Sequence, residues 1–129
     1  MTVSDVNYSR LPQLRAATSL LLAIAQEGSD RLTVSQAAFF LFAAKAQAVG
    51  KPATRSQLLQ ASGSDFRPST RNSYRQLLEP SRVYPNALGW LLTEENPNDA
   101  REKILTLSKD GEKVIEGALN AQANSIFES

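Results

Sequence analysis

The chain holds no cysteine and no histidine. Without thiols there is no disulfide, no thiolate nucleophile and none of the common zinc sites. Without imidazole, the side chain that most often moves protons near neutral pH is missing as well. Neither Ser-x-x-Lys, nor Gly-x-Ser-x-Gly, nor a P-loop occurs, and no pair of carboxylates stands out, so no enzyme and no cofactor is expected. Long apolar runs are also lacking. The run 20–25 lies behind Arg10 and Arg15 and mimics a secretory signal, but it is short and follows Thr18 and Ser19. It reads as an amphipathic helix of a mature, cytoplasmic protein. No stretch approaches the length of a membrane span. Charge of one sign is scarce too, the net value being +1 over 129 residues. A chain of this length can bury roughly two-thirds of its unfolded surface without a metal or disulfide staple, so 1–129 is read as a single domain.

The distribution of charge says more than its sum. Between 45 and 82, Lys45, Lys51, Arg55, Arg67, Arg71, Arg75 and Arg82 stand against only Asp65 and Glu79. From 104 onward, Asp110, Glu112, Glu116 and Glu128 outnumber Lys109 and Lys113. A basic middle beside an acidic tail suits one face for a polyanion and another for something else.

Leu11, Leu14, Thr18, Leu21 and Ala25 recur at helical spacing and predict a first helix over 11–27 that ends near Gly28. Thr33 and Gln36 have the capping-box spacing, in which hydroxyl and amide each satisfy an orphan N–H at a helix start. The following residues, with Phe39, Phe40, Leu41 and Phe42 at their centre, are apolar on nearly all sides. They predict a buried second helix that stops at Gly50 before Lys51 and Pro52. Thr54 and Gln57 repeat the box ahead of Leu58, Leu59 and Ala61, giving a short third helix closed by Gly63. Pro68 opens a fourth, with Thr70, Tyr74, Leu77 and Leu78 on one face and Pro80 as its stop. Two short helices across a glycine-containing turn make a helix-turn-helix.

Residues 81–87 form a loop. Two apolar stretches, 88–93 and 102–108, then flank Asn96, Pro97 and Asn98 and predict a β-hairpin. Ser108 caps a last helix whose ragged stripe is Val114, Ile115, Leu119, Gln122 and Ile126. The fold class is therefore mainly α with a small β-hairpin wing. A winged helix-turn-helix over 32–107 is flanked by terminal helices at 11–27 and 108–127.

Two stretches resemble the multiple-antibiotic-resistance regulator (MarR) family of bacterial transcription factors. Leu32-Thr33-Val34-Ser35-Gln36 before an apolar helix is similar to that family's Leu-Thr-x-x-Gln helix start. Gly89, then Asp99-Ala100-Arg101, Leu105-Thr106-Leu107-Ser108 and Gly111, resembles its wing, where Asp-x-Arg precedes Leu-x-Leu-Thr-x-x-Gly. The match covers roughly 32–111. The chain departs from it in an extra segment, 79–88, and in a recognition helix that keeps only the opening Ser69-Thr70 of the usual pattern.

The resemblance implies a homodimeric regulator that binds double-stranded DNA, with Arg101 as the wing's DNA-contacting arginine and Asp99 orienting it. It also implies, for some members, a small-molecule effector held between the dimer helices and the winged domain. The residues themselves fit a DNA partner. Asn72, Arg75 and Gln76 lie opposite the apolar face of the fourth helix, with Ser69 and Arg71 toward its borders. Asn and Gln can pair adenine and Arg can pair guanine at major-groove edges. Asn98 and Lys103 join Arg101 at the wing, and Lys45, Lys51 and Arg55 suit backbone phosphates. The bland alternative is a solvated polar face and a surface ion pair. Glu94, Glu95 and Glu102 make the wing locally acidic, which favours a second reading: a winged module that binds another protein. Trp90, Tyr74 and the three phenylalanines of the second helix are read as core. Leu11, Leu14 and Leu21, with Val114, Ile115, Leu119 and Ile126, are the expected dimerisation residues. Operator sequence, effector, and repression versus activation stay open.

Overall fold

The computed structural model describes residues 9–28, 32–60 and 73–125. Among these described residues, five helical segments and one hairpin run in the expected order. Helix α1 is Leu11–Glu27, with a proline in its first turn where the missing N–H costs nothing. It ends at Gly28, whose backbone is extended, so a left-handed cap is not what places a glycine there. A Cβ on Gly28 would come within 2.8 Å of Leu32 Cδ2 and 3.4 Å of the Trp90 ring.

Helix α2, Val34–Ala48, opens on the full reciprocal box. Gln36 N–H donates to Thr33 Oγ1 at 3.0 Å and Thr33 N–H donates to Gln36 Oε1 at 2.8 Å. It closes on a Schellman pattern. Gly50 takes φ +81°, its N–H reaches the Gln47 carbonyl at 2.9 Å, and Lys51 N–H reaches that of Ala46 at 3.0 Å. Phe39 and Phe40 are wholly buried. Phe39 meets Tyr74 at a ring-centroid distance of 5.4 Å, and Phe40 meets Trp90 at 4.9 Å. Tyr74 and Trp90 are thus core residues, and the second helix is the hub of the fold.

Helix α3, Arg55–Gln60, follows the second capping box, with Thr54 N–H on Gln57 Oε1 at 2.9 Å and Gln57 N–H on Thr54 Oγ1 at 3.2 Å. Its Leu58 and Leu59 point into the core. The expected close at Gly63 and the start of the fourth helix, with Ser69, Thr70, Arg71 and Asn72, lie outside the described residues. What is described of that helix is its end, a tight 3-10 turn over Tyr74–Leu77, which stops at Leu78 ahead of Pro80. Tyr74 and Leu77 bury the expected face.

The hairpin is shorter than the sequence predicts. Strand β1 is Leu91–Glu94 and β2 is Ile104–Leu107, antiparallel, with Leu91 opposite Leu107 and Glu94 opposite Ile104. The expected strand start at 88–90 is diverted because its amides are used elsewhere. Leu88, Gly89 and Trp90 donate to the carbonyls of Gln76, Leu78 and Leu77 at 2.7, 2.8 and 2.8 Å. The extra segment 79–88 therefore leaves the end of the helical turn and returns to it. The link between α2 and α3 pairs with the wing: Leu105 N–H donates to the Ala53 carbonyl at 2.9 Å, and Thr54, the cap of α3, forms a bridge with Ile104.

Helix α4, Lys109–Ser125, starts under Ser108, whose hydroxyl accepts from Gly111 N–H at 3.0 Å and donates to the Gly89 carbonyl at 2.5 Å. Asp110 and Glu112 sit in its first turn, where negative charge is favoured. Gly111 is fixed by close approach, since a Cβ there would overlap the Trp90 carbonyl oxygen. Gly111→Ala is accordingly expected to lower unfolding stability by about 1–3 kcal/mol, as overpacking does. Urea titration followed by the Trp90 fluorescence would measure it, and an unchanged midpoint would contradict the packing. Helices α1 and α4 lie along one another. No helix among the described residues is long and apolar enough to cross a membrane.

Candidate nucleic-acid interface

Two successive turns shape the tip of the wing. Asp99 N–H donates to the Asn96 carbonyl and Glu102 N–H to that of Asp99, each at 3.2 Å. Two short side chains brace them in the manner of Asx turns: Asn98 N–H donates to Asn96 Oδ1 and Arg101 N–H to Asp99 Oδ1, both at 3.0 Å. The same Asp99 oxygen meets Arg101 Nε at 3.3 Å. The Arg101 side chain is nevertheless 93% exposed, against 42% for Asp99. The carboxylate thus steadies the root of the guanidinium and leaves its outer edge to solvent, the arrangement needed to reach into a groove or onto a phosphate.

The three wing glutamates behave differently from one another. Glu94 is exposed. Glu95 pairs with Lys103 at 2.5 Å, so Lys103 carries a local partner that a phosphate would have to displace. Glu102 turns inward and accepts two hydrogen bonds from Ser56 in the first turn of α3, from the N–H at 3.1 Å and from the hydroxyl at 2.5 Å. The Ser56 hydroxyl and then the Ser56 N–H hold the Glu102 carboxyl below its ordinary value of 4.5, helped by the charge of Arg55 and opposed by desolvation and Asp99. A carboxyl with a lowered pKa in the folded chain contributes stability above its unfolded pKa and loses it as pH falls through the folded value. The stability gap between the wild-type chain and Glu102→Gln should therefore be full at pH 7 and shrink below about pH 4.5. Urea unfolding of both chains at pH 7, 5 and 3.5 tests this, and a gap that widens on acidification would contradict it.

Arg55 has its guanidinium 6.0 Å from the centre of the Tyr74 ring, a cation–π placement that links α3 to the helical turn. Arg75 is exposed on the helical turn. Gln76 is half-buried and lends its carbonyl to Leu88. Lys45 and Lys51 are exposed near the end of α2. Of the predicted DNA contacts, Ser69, Thr70, Arg71 and Asn72 lie outside the described residues. Arg55, Arg75, Gln76, Asn98, Arg101 and Lys103 all fall on α3, the helical turn or the wing.

The terminal helices divide the predicted dimerisation set. Leu14, Leu21 and Leu119 are 59, 47 and 51% exposed, and Leu11 and Leu22 are exposed beside them. Val114 is part of the chain's own core and Ile115 is partly buried against it, on a helix that packs along α1. Ile126 lies outside the described residues. An apolar cleft of about 310 Å³ opens between α1 and the start of α2, lined by Leu21, Ile24, Ala25, Leu32 and Val34 among others. Phe39, Phe40 and Phe42 do not line it.

The long-range contacts of three polar side chains escaped the sequence. Gln36 caps α2 and, at 4% exposure, also donates through Nε2 to the Ser73 carbonyl at 3.0 Å, holding the helical turn to the hub. Gln47 accepts from Leu107 N–H at 2.8 Å and donates to Glu112 at 3.0 Å, joining α2, the wing and α4. Glu102 fastens the wing to α3. Each acts across 37 or more positions of chain, and no local spacing signals such a contact.

No protein-family model matches the chain, and no curated protein matches it. Among solved structures it is similar to a MarR-like transcription regulator from Bacillus cereus ATCC 10987. The identity is 24% over 91% of this chain and 73% of that one, with a TM-score of 0.52. The likeness is one of fold: a mainly helical chain with a two-stranded antiparallel wing.

Proposed function

We propose that the chain is a transcriptional regulator of the MarR-like kind that binds double-stranded DNA as a homodimer. The observation that carries this reading is the wing tip, where Asp99 braces Arg101 from behind and leaves it 93% exposed, on a hairpin hydrogen-bonded to the helix-turn-helix segment. Each protomer places the helical turn bearing Arg75 and Gln76 in a major groove, with Arg101 and Asn98 beside it at the backbone or minor groove. Arg55 lies at the phosphates. Two-fold symmetry demands a near-palindromic operator with half-sites about one helical turn apart. The exposed leucines of α1, with Leu119 of α4, supply an apolar surface for the second protomer. The cleft beside Leu21 and Val34 is the place for an apolar effector. The protein works in the cytoplasm and is not an enzyme.

Selection of bound duplexes from a random pool, followed by anisotropy titration at several salt concentrations, tests the reading. A symmetric motif and an affinity that falls steeply with salt support it. A folded chain without salt-sensitive affinity for any duplex would overturn it in favour of the second reading, a winged module that docks on another protein. One observation favours that alternative: the 79–88 segment is tied in place at both ends and presents Val83 at 74% exposure.

A further inference from the structure

Neighbouring residues at the wing tip face opposite ways. Arg101 points outward, and Glu102 reaches back to the N–H and hydroxyl of Ser56 on α3. The body of β2 is fixed independently, through Leu105 on Ala53, Thr54 beside Ile104, and Leu107 on Gln47. Beyond Ile104 that support ends. Between the last strand pair, Glu94 with Ile104, and the two turns of the tip there are two side-chain ties. Lys103 with Glu95 stays within the hairpin and is exposed, so it cannot set the hairpin against anything else. Glu102 with Ser56 crosses to the helix-turn-helix.

We propose that Glu102 is a positioning residue: by gripping Ser56 it sets where Arg101 stands relative to α3, and its contribution to duplex binding runs through Arg101. The inference rests on the DNA-binding reading for its consequence, though the grip itself can be tested without DNA. It also runs against the simplest electrostatic expectation. Removing a carboxylate near a phosphate-binding surface should tighten binding, whereas removing a pin that orders an arginine should weaken it.

Four chains decide between these: wild type, Glu102→Ala, Arg101→Ala and the double variant, titrated against a fluorescein-labelled mixed-sequence duplex at low and moderate salt. Glu102→Ala, which removes the acceptor of both Ser56 bonds, is expected to weaken binding roughly three- to tenfold despite the lost negative charge, and to weaken it no further when Arg101 is already alanine. Ser56→Ala, which removes the hydroxyl bond and keeps the N–H, should repeat part of that effect, and Glu102→Gln, which keeps the accepting oxygen, should bind better than Glu102→Ala. Tighter or unchanged binding by Glu102→Ala, or an equal loss in both backgrounds, overturns the proposal.

Because the chain has no native cysteine, spin labels can be placed at Asn98→Cys on the wing and Gln60→Cys on α3, both exposed positions. The distance distribution should be narrow with Glu102 and broader with Glu102→Ala. An identical distribution in the two chains refutes the grip whatever DNA does. A broadened one in a chain that binds no duplex keeps the grip and removes only the DNA-binding reading and the role of Glu102 in it. Circular dichroism confirms that each variant is folded.

Discussion

Arg101→Ala is expected to weaken duplex binding by roughly tenfold or more, because the proposed symmetric dimer would lose the contact twice and an arginine contact to DNA is worth about 1–3 kcal/mol. The guanidinium is the most outward group of the wing, and Asp99 already restricts its root, so little ordering entropy remains to be lost on binding. If Arg101 lies on phosphates, the slope of log affinity against log salt should fall by about one for each wing while sequence preference persists. Arg75→Ala should behave differently: under the proposed function a side chain on the helical turn would read bases, so its loss should relax preference at one position of each half-site. Tight binding that survives both substitutions would remove the site assignment altogether. Anisotropy titrations at two salt concentrations measure all of these quantities.

Phe40→Ala is expected to cost about 3–5 kcal/mol of unfolding stability, a large part of the 5–15 kcal/mol typical of a domain. Phe40 is wholly buried and meets Trp90 in a tilted ring contact at 4.9 Å, and the Trp90 backbone carbonyl abuts Gly111 and receives Ser108 N–H. The cavity therefore opens where the hub helix, the root of the wing and α4 meet. Trp90 is the single tryptophan, so its emission reports the loss directly. A midpoint shift below that of a surface substitution would contradict the placement. Leu14→Ala offers the contrast. At 59% exposure it should leave the monomer's stability nearly intact and act, if the dimer forms across α1, only as a concentration-dependent change in melting.

These contrasts show which parts of the molecule its sequence declares. Elements set by near neighbours were legible. Thr33 with Gln36 and Thr54 with Gln57 act over three residues, Gly50 has the conformation its position predicts, and the ends of α1 and α2 follow. Burial of Phe39 and Phe40 follows from an apolar run too continuous for a half-exposed helix. What was not legible depends on partners far along the chain. The strands are shorter than their apolar stretches because the amides of 88–90 are taken by carbonyls at 76–78. Glu102 has the same local appearance as Glu94 and Glu95, and only the pairing of β2 with 53–54 brings it to Ser56. The stripe Leu11, Leu14, Leu21 has a helical period whether it faces a core or a partner, and the same ambiguity holds for Val114, which packs in the chain's own core. Of the candidate DNA contacts, the ones on the wing were the easiest to place, because Asp99 and Arg101 are close in sequence as well as in space.

The closed excursion at 79–88 has a practical consequence. Its two ends are joined at the same helical turn by three backbone hydrogen bonds, so the chain on either side is held in register whatever the intervening length. Doubling such a loop adds only about 0.6 kcal/mol of closure entropy. The tip at Arg82 and Val83, both exposed, is thus a graft point. A peptide tag or a fluorescent reporter inserted there would ride on the domain while leaving its core, its wing and the leucine face of α1 as they are.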